Sequence, residues 1–508
     1  MTRLFQTTAL CSMLAASPAF ADITVDDAWS AWKAQVQALG LTMDASESRD
    51  GDALQIGDMR LSVAFPEDAG NAYLTMSGPR FVPADGGTVE VHFPAKTQIT
   101  MGGDIKGEGS MSMVLEMTGD DAPGIMSGDP NNVKTVWGFA NYEATLGALT
   151  INGEPAKDVS GKMLMGPTAM TTLTNIGEAM VTVTNTTKME SYKLDYTATI
   201  VEGAADLKIE AGGAAKGIDG TSTFMLPKAG LDVLGLDKQL EAGLKLVLTS
   251  KIAENASYQR TFIDGRQVGT QDTTAADYDI TVNLDKSGLD YGGTAGAFKA
   301  DLLMPEMPLP ISISGEGAGG RILLPLMKSE EAQPAAIKMA LNGVSISDQL
   351  WGMFDPAATL PRDPMTIAFD VSGDTKLLFN FLDIRAIMGG AQPAGLPVTA
   401  ERVKLNSLMI KGVGAELTGT GDFTFDYSDW TTFGGMPAPE GQAAFMLKGA
   451  NGLMDKLVAM GLITEQDTMG ARMMMGMFAK PGEGEDVLTT EIDVKKTGEV
   501  SANGQRLR

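Results

Sequence analysis

Methionine is the residue type most able to carry unusual chemistry in this chain. There are 33 of them, and the densest group is Met473, Met474, Met475 and Met477. Thioethers are soft ligands that suit Cu(I), but the same residues also fill apolar packing faces and adaptable apolar surfaces. Met469, Met473 and Met477 fall at the spacing of one helical stripe, so a packing face is the first expectation and a Met-based copper site is an alternative. Nitrogen and thiol chemistry is scarce. The only histidine, His92, lies in the strand pattern VEVHF, where Val89, Val91 and Phe93 take one face and Glu90 and His92 the other. The only cysteine is Cys11. His-rich and thiolate zinc sites and cysteine nucleophiles are therefore not expected. A Ser-His-Asp triad would have to use His92, and no G-x-S-x-G elbow accompanies it.

Two further patterns resolve as turns. Gly315, Gly317 and Gly320 match G-x-G-x-x-G, but RILLPLM follows and reads as a strand. A dinucleotide site needs a helix N-terminus there to face the pyrophosphate. Asp50, Asp52 and Asp58, and the pair Asp120-Asp121, do not fit a 12-residue calcium loop and read as turn acids. Carboxylates are numerous, so a carboxylate-dependent envelope hydrolase stays open as a second alternative, although no pair is marked by the sequence. No catalytic, cofactor-binding or metal residue is assigned, and no cofactor is expected.

The elements that would position these residues follow from patterning. The opening MTRLFQTTALCSMLAASPAFADITV has a positive start, a short apolar run and the A-x-A pattern Ala19-Phe20-Ala21. This is the layout of a secretory signal peptide, with cleavage expected near Ala21 and export to the periplasm. Cleavage removes Cys11, so the mature chain is expected to have no disulfide and to rely on core burial. No segment has 18 uninterrupted apolar residues, and no transmembrane segment is expected. With 39 Lys+Arg against 64 Asp+Glu, the net charge is −25, the wrong sign for binding nucleic acid phosphates.

After the leader, Thr24 or Asp26 can cap a helix carrying Trp29, Trp32, Val36 and Leu39, ended by Gly40. Period-two alternation then takes over, as in Met59, Leu61, Val63 and Phe65, or Met111, Met113, Leu115 and Met117. Met180 to Thr186 and Ser191 to Val201 read as two strands. Two segments, from Leu194 and from Asp277, echo each other as hairpin units. A short helix is expected over Leu350, Trp351 and Phe354, and Asn451 and Thr464 can cap two consecutive helices near the C-terminus. The expected fold is mainly β (α+β): a long curved antiparallel sheet of hairpins with an N-terminal helix and a C-terminal helical hairpin. The expected division is a signal peptide over 1–21, a β-rich region with its leading helix over 22–328, and a second β-rich region with the inserted hairpin over 329–508.

The W-x-x-W helix, FVPADGGTVEVHFP, LNGVSISDQLWGMFDPAATLP, GLMDKLVAMGLITEQD and KKTGEVSANGQRLR together resemble an exported bacterial family classed as a domain of unknown function. That family is similar in character to AsmA-like envelope proteins. The resemblance implies a curved antiparallel sheet and a role in cell-envelope upkeep or lipid handling. It carries over no site residues, and the chain departs from the larger AsmA-like members in having no N-terminal membrane anchor. The expected function is a non-enzymatic periplasmic binding or scaffold protein. Its candidate partners are a lipid, or another apolar partner such as an envelope protein, held on a curved β-sheet.

Overall fold

The computed structural model describes residues 22–508 apart from 157, 203–204, 305–306 and 394. The signal-peptide reading concerns residues 1–21, which lie outside the described residues. The mainly β expectation holds. The strands form one antiparallel sheet, with an N-terminal helix and further helices toward the C-terminus.

The sheet is a meander in which each rung pairs with the one before it. Many of the shorter strands are halves of one rung. Gly70–Ser77 and Arg80–Ala84 both pair with Ala53–Phe65 in a single register, since Phe65 faces Gly70, Asp58 faces Ser77 and Leu54 faces Phe81. Gly288–Ala295 and Phe298–Met304 likewise share one register on Arg266–Asp285. Between such halves lies a break of one to a few residues, and backbone bonds continue across it. Gly119 N donates to Ala95 O at 3.0 Å, Gly166 N to Ser191 O at 2.9 Å and Gly296 N to Ala276 O at 2.8 Å.

The line of breaks runs on through strands that are otherwise continuous. Gly217, at φ +61°, sits within Ala205–Pro227, and Asp277, at φ 49°, within Arg266–Asp285. Gly343, at φ +61°, continues the line within Gln333–Ile346, opposite Glu316. Left-handed residues and bulges bend strands and sharpen their twist, so this line is a crease along the sheet. It also explains why Met180–Glu202 is one strand of 23 residues where the sequence reads as two. The missing pairing is at Glu190 opposite Gly217.

Helix α1 (Val25–Ala38) is started by a reciprocal capping box, Thr24 with Asp27. It packs against Thr42–Asp50, Arg80–Ala84, Thr168–Ile176 and Met180–Glu202. Those strands lie several rungs apart, and rungs are spaced about 4.8 Å. A helix is only about 10 Å wide, so the sheet must curl around it. Val25, Ala28 and Trp29 pack there with Leu54, Ile56, Met59, Phe81, Val89, Val91, Met126 and Val133. The rings of Trp29, Trp32, Phe81, Phe93 and Trp137 continue this core, each within 6.4 Å of a neighbour. Leu39, expected on the packed face, is the C-cap and 46% exposed, because the buried stripe ends at Ala38. A second cluster joins Ala38 to Val181, Val183, Leu226, Leu240 and Leu244, the last two from α2 (Leu236–Glu241) and the residues after it.

Helix α3 (Asp348–Phe354) buries Trp351, and Asp355 behind it accepts from Thr359 N at 2.8 Å and Leu360 N at 2.9 Å. Helix α4 (Ile384–Met388) follows. The helical hairpin is α5 (Ala450–Ala459) and α6 (Glu465–Phe478). Asn451 is not the cap of α5. Gly449 holds that place in the left-handed region, and Asp486 accepts from Asn451 N and Gly452 N instead. The final edge strand, Val487–Val494, is covered by Lys480–Pro481 and Val500–Ala502. Asn503 bonds to Glu491 between them.

Candidate functional site

In an antiparallel ladder, directly paired residues project to the same face. The pairing register therefore traces each face of the sheet across its rungs. The face holding α1 contains Met126, and its ladder row runs Met126, Thr135, Thr172, Asn185, Ser222, Leu248, Val282, Tyr291, Ile322, Ile337, Val371, Leu405. Beside it runs Ile280, Gly293, Gly320, Met339, Phe369, Leu408, Gly419, Phe445. A third row is Ala318, Leu341, Ile367, Ile410, Leu417, Leu447, Leu488. From Tyr278 onward this inner face is almost wholly apolar.

The same face near the N-terminus carries methionines. Met59 faces Met76, Leu74 faces Met101, Met101 faces Met113 and Met111 faces Ile151. The alternation read over Met111 to Met117 thus points to the inner side. Helices α1 and α2 cover only part of this face. Tyr291 is 44% exposed, Ile337 47%, Ile367 44%, Ile410 45% and Met111 56%. Exposed apolar residues are ordinary when scattered. Here they are contiguous along paired strands, forming one apolar patch in place of scattered single residues.

The opposite face of the same strands is charged and cross-linked. Arg321 holds Asp290 through two bonds of 2.8 and 2.9 Å, and Arg402 holds Asp422 in the same way. Lys162 pairs with Glu143, Lys216 with Glu254 and Lys251 with Asp279. The guanidinium of Arg321 holds the Asp290 carboxyl below the ordinary carboxylate range, and Arg402 does the same to Asp422. Among the described residues, the carboxylates that depart from the ordinary range do so downward, as at Asp195, Asp285 and Asp486. A general acid working near neutral pH needs the opposite shift.

The motifs singled out in the sequence are placed as follows. His92 Nε2 lies 3.0 Å from Glu90 Oε2, on the face away from the buried Val89 and Val91. Gly315 ends one half-rung, and Gly317 and Gly320 lie in the next, Gly317–Leu324, with no helix following. Gly317 and Gly320 floor a depression of about 640 Å³, bordered by Asp279, Asp290, Arg321 and Lys338. The border charges are already engaged with Lys251, with each other or with Asp370.

The methionine stripe of α6 does not pack. Met469 is 72% exposed, Met473 66%, Met474 59% and Met477 58%. The helix is anchored by its other side, where Thr468 is buried. Sequence periodicity finds an apolar stripe but cannot tell whether anything covers it.

No protein-family model matches the chain, and no curated protein matches it. Among the described residues no helix is long and apolar enough to cross a membrane.

Proposed function

We propose that this protein is a non-enzymatic periplasmic binding or scaffold protein of the cell envelope that holds an elongated apolar ligand, a lipid acyl chain, along the inner face of its sheet. The observation that carries this reading is the run of paired apolar rows from Tyr291 to Ile410, exposed at Tyr291, Ile322, Ile337, Met339, Ile367 and Ile410, while the opposite face is knit by ion pairs. A sheet needing only to be stable would bury that face against a second layer. The acidic outer surface opposes self-association, which keeps apolar faces of separate copies apart. The signal-peptide pattern supports export.

The test is native mass spectrometry of the mature protein purified from the periplasm, with lipid extraction alongside. The expected result is a discrete lipid mass that is released on denaturation. If the protein is lipid-free and also takes up no fluorescent fatty acid when one is offered, the lipid reading is refuted.

A further inference from the structure

We propose that α6 carries a surface site for a soft monovalent metal ion, Cu(I) or its analogue Ag(I), built from the thioethers of Met473, Met474 and Met477. The four-methionine cluster seen in the sequence divides in the structure. Met475 is half-buried, whereas Met473, Met474 and Met477 are each more than half exposed. The exposed three stand at i, i+1 and i+4 on one helix. Residues three and four apart have Cβ atoms about 5–6 Å from each other, so Met477 adjoins both of the others and three flexible side chains can bring their sulfurs onto one ion.

The residue types around the three sulfurs suit a soft ion better than a hard one. Within four positions of these residues on the helix lie Met469, Gly470, Ala471, Arg472, Met475, Gly476 and Phe478, with no carboxylate among them, and Arg472 is engaged with Asn451 and Asp455. Hard cations take oxygen ligands, whereas thioethers select Cu(I). Gly470 and Gly476 add a second observation. A glycine inside a helix costs about 1 kcal/mol relative to alanine, and at both positions an added Cβ would meet nothing within 4 Å. Packing does not require them, and this face of the helix is left open to solvent.

The helix backbone beneath is fixed. Thr464 and Asp467 form a capping box, Arg472 bonds to Asn451 at 3.0 Å, and Phe478 O accepts from Thr490 Oγ1 at 2.6 Å. Binding is coordination only: sulfur lone pairs fill the metal's empty orbitals, and no electron or proton is transferred. None of the three methionines belongs to the apolar rows of the sheet, and metal binding is read with no lipid present.

The experiment is titration of the full mature chain with Ag(I), read by calorimetry and by methyl resonances of ¹³C-labelled methionine. The expected result is one tight equivalent, with the methyl signals of Met473, Met474 and Met477 shifting and that of Met475 unmoved. Met473→Leu, Met474→Leu and Met477→Leu should each weaken binding at least tenfold, and Met475→Leu should leave it unchanged. Leucine keeps the face apolar, so a surface that merely attracts apolar partners would not respond. Absence of stoichiometric binding, shifts confined to other methionines, or full binding by the triple leucine variant would each overturn the proposal. The resonance shifts are read on the unaltered protein, so the result does not depend on any variant folding.

Discussion

Replacing Ile337, Ile367 and Ile410 together by threonine tests the inner face directly. Ile337 and Ile367 lie on neighbouring rungs, and Ile410 is paired directly with Ile367. Threonine keeps the β-branched shape that strands favour. Full burial of an isoleucine is worth about 1.5–3 kcal/mol. Each of these is 44–47% exposed, so covering the remainder with an acyl chain gains about 1 kcal/mol per residue. The triple variant should then lose about 3 kcal/mol of binding, on the order of a 100-fold rise in Kd. The assay is displacement of a fluorescent fatty acid, with the fold checked by circular dichroism. Met409→Thr with Met446→Thr is the matched control. Both methionines face Thr418 on the charged side and are 38% and 37% exposed, so their replacement should leave Kd unchanged. If the control weakens binding as much as the inner triple, or the triple binds as the unaltered protein does, the assignment of the ligand to the inner face is wrong.

Trp29→Ala empties the core around α1 and should cost about 3–5 kcal/mol in urea unfolding, because Trp29 is 2% exposed and its Nε1 donates to Glu47 at 2.6 Å. A loss under about 1 kcal/mol would mean that the helix does not hold the curl. Gly217→Ala should destabilise by about 1 kcal/mol or more, since the residue is left-handed and a Cβ there would lie 2.9 Å from that of Ala253. An unchanged urea midpoint would count against a strained crease. The Asp290 carboxyl has its pKa lowered by Arg321, so its contribution is present above the unfolded value of about 3.9. That contribution fades as pH falls through the lower folded value. Asp290→Asn should therefore lower Tm at pH 7 and flatten its decline below about pH 4, and a parallel decline in both proteins would refute the linkage.

The strand alternation was legible because a half-buried sheet imposes a period of two, and Met111 to Met117 show it without interruption. The leading helix and the Thr464 cap were legible for a similar reason, as local hydrogen bonding fixes the residue types. The crease was hidden. Gly217, Asp277 and Gly343 signal a bend only when their pairing partners are known, and a turn between Thr186 and Ser191 looks the same in sequence as a fault within one strand. Exposure was hidden too. Tyr291 and Met473 are apolar at the proper period whether or not another layer covers them, and coverage depends on the fold of the whole chain.

The meander has a consequence for how such a chain can change. Nearly every rung touches only the rungs before and after it, so beyond the reach of α1 the molecule is close to one-dimensional, as repeat proteins are. Inserting or deleting one hairpin lengthens or shortens the inner face by about 10 Å and leaves the crease and both ends intact. On the proposed reading, the number of hairpins sets the length of ligand that the face can hold. Because the pairing is between neighbours in sequence, an added hairpin can join the sheet as it emerges, without waiting for the rest of the chain.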